Sequence, residues 1–64
     1  MDEVNLRGAV FEALDVAWKE NGYDQRRDDP EQVAIDLASY CSNLEDLSPE
    51  RLLPHVRAWQ EERR

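Results

Sequence analysis

The sequence predicts an all-α fold, a small three-helix bundle with a short helical turn before the last helix. Three observations lead there. Apolar residues recur at helical spacing in three separate stretches. Each stretch opens on a helix-start signal, at Asp2, at Asp29-Pro30 and at Ser48-Pro49. No stretch shows the alternation of a half-buried strand. A length of 64 residues leaves room for one helical domain spanning 1–64 and for one core.

The first helix is expected from about Val4 to about Asn21. Asp2 caps its start and Gly22 supplies the left-handed residue that ends it. Leu6, Val10, Ala13, Leu14 and Ala17 share one arc, extended by Phe11 and Trp18, with Glu12, Asp15 and Lys19 opposite. Glu3 with Arg7 and Asp15 with Lys19 are acid-before-base pairs one turn apart, which support a helix.

Tyr23 to Asp29 read as a polar connection. Asp29 as cap, Pro30 in the first helical position and Gln32 three residues after the cap then open a second helix, expected to reach about Ser42. Val33, Leu37, Tyr40 and Cys41 form its inner stripe, Ala34 and Ala38 the margins. Ile35 falls between Ser39 and Ser42 on the outer side. Asn43 to Leu47 read as a short loop. Ser48-Pro49-Glu50 starts the last segment, which Pro54 should interrupt, because a proline ring in a helix clashes with the carbonyl four residues back. A turn at about 49–53 and a restarted helix from Pro54 to about Glu62 are therefore expected, with Leu52, Val56 and Trp59 inward and Leu53 beside them. Leu44 and Leu47 complete the expected core.

The inventory argues against catalysis. A nucleophile needs a base held beside it. The single histidine, His55, is expected at the surface, and the single cysteine, Cys41, inside. One cysteine permits neither an internal disulfide nor a cysteine-based zinc site. Asp24, Asp28, Asp29 and Glu31 crowd the first connection. Arg26 and Arg27 sit in its middle, and the glycine of a calcium loop is missing. We therefore expect no catalytic residue, no cofactor and no metal.

Charge narrows the partner. Fifteen acidic against eight basic residues give −7. Twelve acidic and four basic residues precede position 48, so the first two helices and the loop after them hold the excess. Such a chain repels nucleic acid and anionic lipid. A helix-turn-helix use of the last two segments would bring Glu31, Asp36, Glu45, Asp46 and Glu50 toward phosphates, which argues against direct DNA binding. No segment approaches the roughly 20 apolar residues of a membrane span. Asp2 and Glu3 stand where a signal peptide is basic. A cytoplasmic location is expected.

The run Ser48-Pro49-Glu50, Leu52-Leu53 and Val56-Arg57-Ala58-Trp59 resembles the last helix of colicin and pyocin immunity proteins. The resemblance implies a small acidic helical protein that blocks a basic nuclease toxin by binding beside its active site. It covers residues 48–59 only. The adjacent tyrosine pair of that family has no counterpart, since Cys41 follows Tyr40, so no site residue is carried over from it.

The residues themselves suggest one patch. Ile35 and a partly exposed Tyr40 would form an apolar centre, rimmed by Asp36, Glu45 and Asp46. The expected function is that of a small acidic protein-binding module, an inhibitor or antagonist of a basic protein such as phages, plasmids or bacterial defence loci encode. The alternative is a structural or assembly subunit, or a homodimer whose core is completed across the interface.

Overall fold

The computed structural model describes residues 2–40 and 48–63, which form three α-helices and no strand. They are α1 (Glu3–Asn21), α2 (Pro30–Tyr40) and α3 (Pro49–Arg63). All three start where the sequence signals place them. The Asp2 carboxylate accepts the Asn5 backbone N–H at 2.9 Å, closing the first turn of α1. At the other end Gly22 adopts φ 71° and donates to the Trp18 carbonyl, while Tyr23 donates to that of Ala17. These paired bonds satisfy carbonyls that a helix end otherwise leaves open. Asp29 accepts the Glu31 N–H at 3.1 Å and caps α2. Gln32 does not complete the cap, because its amide donates to Asp36 at 3.1 Å.

Each helix contributes three residues to one core: Leu6, Val10 and Leu14, then Val33, Ala34 and Leu37, then Leu52, Val56 and Trp59. Phe11, Ala13 and Trp18 pack at its edge, as do Ala38 and Leu53. Helix α3 is the centre of the arrangement, since α1 and α2 both pack on it far more than on each other.

Three expectations need correction here. First, Pro54 does not divide the last segment; α3 runs unbroken through it. Leu52 before it and Val56 after it are both fully buried, so tertiary packing holds the helix across the missing hydrogen bond. Pro54 and Glu50 both lie on the exposed side, where water can solvate the freed Glu50 carbonyl. Second, Tyr40 belongs to the inner stripe by spacing but is 85% exposed. Burial weakens along α2 from Val33 through Leu37, and the stripe runs past the end of the core. Third, Ala34, expected at the margin, is buried. The expected extension of the second helix to Ser42, the inward Cys41 and the loop bearing Leu44, Glu45, Asp46 and Leu47 lie outside the described residues.

Candidate protein-binding surface

The arrangement of charge follows from how α1 and α3 meet. Neither i,i+4 pair expected on α1 accounts for the ion pairs that form. Glu3 instead reaches across to Arg51 at 3.3 Å and to His55 Nε2 at 2.8 Å. Arg7 pairs with Glu62 while its guanidinium lies 4.3 Å from the centre of the Phe11 ring. Asp15, expected on the solvent side, accepts from Trp59 Nε1 at 2.8 Å and from two nitrogens of Arg63 at 3.1 Å. His55, expected at the surface, keeps only 13% of its side chain exposed.

These contacts hold carboxylates in the charged form. The Arg63 hydrogen bonds, then that of Trp59, keep Asp15 below the ordinary aspartate value against the opposing effect of burial. Hydrogen bonds from His55 and then Arg51 do the same for Glu3. In the connection after α1, Asp24 binds both the side chain and the backbone N–H of Arg26, which brings it from 3.8 to about 2. Arg26 also covers the face of Trp18 at 4.1 Å, and Trp18 meets Trp59 edge-on at 84°.

One buried polar side chain fastens this connection to α3. Gln60 is 5% exposed, and its amide donates to the carbonyls of Gln25 at 3.0 Å and Asp28 at 2.8 Å. Residue type alone gives Gln60 no inward role. A signal existed: Gln60 lies eight residues after Leu52, in step with Val56 and Trp59 on the inward stripe.

The outcome is segregation. Arg7, Arg26, Arg51 and Arg63 are all engaged with carboxylates, and three of those four pairs join α1 or its N-terminal turn to α3. Helix α2 carries Glu31 and Asp36 and no cation. Its outer side therefore presents unneutralised carboxylates beside Ile35, which is 46% exposed, and Tyr40.

Of the sequence-predicted patch, Asp36 and Tyr40 come together on one groove, between α2 and α1. Ile35 is one residue from Asp36 but faces the opposite flank, a hollow shared with Glu31, Pro49, Glu50 and Leu53. The patch is thus a crest with two sides rather than a single apolar centre. Glu45 and Asp46 lie outside the described residues. Among the described residues, no group of three or more His, Cys, Asp and Glu side chains is placed to hold a metal ion. Nor is any helix there long and apolar enough to cross a membrane.

No protein family, curated protein or solved structure shows a significant match to this chain.

Proposed function

We propose that the protein is a small acidic binding module that engages a basic protein through the outer side of α2, acting as its inhibitor or antagonist. The observation that carries the reading is the segregation of charge: four of the seven arginines are committed to internal pairs, while α2 carries only carboxylates, flanked by exposed Ile35 and Tyr40. Exposed tyrosine is a frequent energetic anchor of protein-binding surfaces. A net charge of −7 steers such a surface toward basic partners and away from nucleic acid. The inhibitory role rests on the resemblance of residues 48–59 to immunity proteins and on the want of an evident nucleophile–base pair in the sequence.

Affinity capture from the native cell with the wild-type chain and a Glu31→Lys/Asp36→Lys variant, in parallel, tests the proposal. A basic protein retained by the wild type and lost from the variant supports it. Identical retained sets on both chains reject it. The assembly alternative predicts something else, a homodimer by sedimentation whose melting temperature rises with concentration.

A further inference from the structure

Helices α1 and α2 lean on α3 rather than on each other, and this leaves a groove of about 490 Å³ between them. We infer that this groove receives a helical segment of the partner, apolar along its inner side and bearing lysine or arginine along the edge beside α2. The inference rests on the acidic-module reading and names the side of α2 that the partner uses.

The floor suits a helix. Ala13 and Ala17 lie one turn apart on α1, and side chains this small let a second helix come close to the α1 backbone. Leu14 and Leu37 supply the apolar surface beneath. A helix laid there would pack on α1 and α2, on the side away from α3, and give the molecule the fourth member of a bundle. Tyr23 and Tyr40, 68% and 85% exposed, line the same groove and offer rings to close over a guest while their hydroxyls stay in water.

Charge selects the occupant. Asp28 and Asp36 line the groove, and no lysine, arginine or histidine does so among the described residues. Lysine or arginine on the edge of a guest helix beside α2 would meet Asp36 there and Asp28 in the connection before it. A second copy of this chain fits poorly. It brings another −7, and Arg7, Arg51 and Arg63 on its helices are already paired with Glu62, Glu3 and Asp15.

The test is a ¹⁵N NMR titration with a lysine–leucine–alanine amphipathic peptide of about twenty residues, above the length at which isolated helices become marginal. Controls are a scrambled peptide of the same composition and a counterpart with glutamate in place of lysine. Shifts centred on Ala13, Ala17, Leu37 and Tyr40 with the first peptide alone are the expected result. Binding about tenfold or more weaker to Ala17→Leu, which fills the floor, and to Asp36→Lys should accompany them, with both variants shown folded by circular dichroism. Shifts centred instead on Ile35 and Leu53 would overturn the groove and leave the acidic-module reading standing. So would undiminished affinity of a folded Ala17→Leu. Contacts from Leu44 or Leu47 to Ala13 in the free protein would overturn it as well, because the chain itself would then fill the groove. Equal binding of the glutamate peptide, or no binding of the lysine peptide, would remove the broader reading with it.

Discussion

Replacing Asp15 by alanine should destabilise the protein by about 2 kcal/mol, and the sum can be worked from three parts. Trp59 is fully buried, and Asp15 Oδ1, at 2.8 Å, is the acceptor of its indole N–H. Stranding a buried donor costs about 1–3 kcal/mol. The Arg63 arm adds little, because that pair is partly exposed and screened by water. Alanine returns about half a kcal/mol through its higher helix propensity. A net loss of about 2 kcal/mol is a large share of the stability of so small a domain, of order 5 kcal/mol. It should lower the melting temperature by about 8–15 °C. Asp15→Asn is the discriminating control. Its amide oxygen still accepts from Trp59 while the charge facing Arg63 is gone, so the loss should stay below about 1 kcal/mol. Urea unfolding followed by tryptophan fluorescence and by circular dichroism measures both variants. If Asp15→Ala lies within about 0.5 kcal/mol of the wild type, or the two variants are equally destabilised, the Trp59 hydrogen bond is not what Asp15 contributes.

Further outcomes follow from the same geometry. The two glycines should respond in opposite directions to alanine, as read by urea midpoints. A Cβ on either meets nothing within 4 Å, so only backbone conformation differs. Gly8→Ala inside α1 should stabilise by about 1 kcal/mol, whereas Gly22→Ala, at φ 71°, should destabilise by about 1–2 kcal/mol. Pro54→Ala should stabilise by about 2 kcal/mol, the helix-interior penalty less the greater freedom of the unfolded alanine chain; no gain in melting temperature would mean the helix is adapted to the proline. Acid should unfold the protein in a defined window. Asp24, Asp15 and Glu3 all have folded-state values below the ordinary ones, so their stabilisation is present above those ordinary values and disappears as pH falls through the folded ones. For Asp24 that window runs from 3.8 down to about 2, and melting curves of Asp24→Asn should show a shallower fall across it than the wild type.

The parts of the fold that were legible in the sequence are those decided within one turn of the chain. Asp2, Gly22 and Asp29-Pro30 act on backbone groups a few residues away, so residue type alone implies their role. The core stripes followed from spacing for the same reason, with Leu6, Val10 and Leu14 or Leu52, Val56 and Trp59 each on one face of one helix. What was not legible depends on which helix lies opposite. Asp15 and Glu3 have credible partners on α1, yet both are claimed by α3, where arginine, histidine and tryptophan offer better-placed donors. Pro54 carries a local penalty that buried Leu52 and Val56 outweigh. Tyr40 keeps the spacing of an inner residue, but nothing in spacing tells where a core ends.

The candidate surface was legible to the same degree. Ile35 could be placed on the outer side of α2 from periodicity, with Asp36 beside it, whereas spacing puts Tyr40 on the inner stripe. That Ile35 and Asp36 fall on opposite flanks, and that Asp36 and Tyr40 share a groove with Ala13 and Ala17, depends on how α1 and α2 sit around α3. Segregation of charge was equally hidden, since composition counts the arginines without showing that the α1–α3 seam engages three of the seven.

The most direct test of the central claim, that the carboxylates of α2 guide a basic partner onto this surface, is the association rate of the captured partner with the wild-type chain and with Glu31→Lys/Asp36→Lys at low and at physiological ionic strength. The account predicts a wild-type rate that falls by about tenfold or more on adding salt, and a variant rate that starts low and changes little. Association rates that are equal for the two chains and indifferent to salt would contradict it.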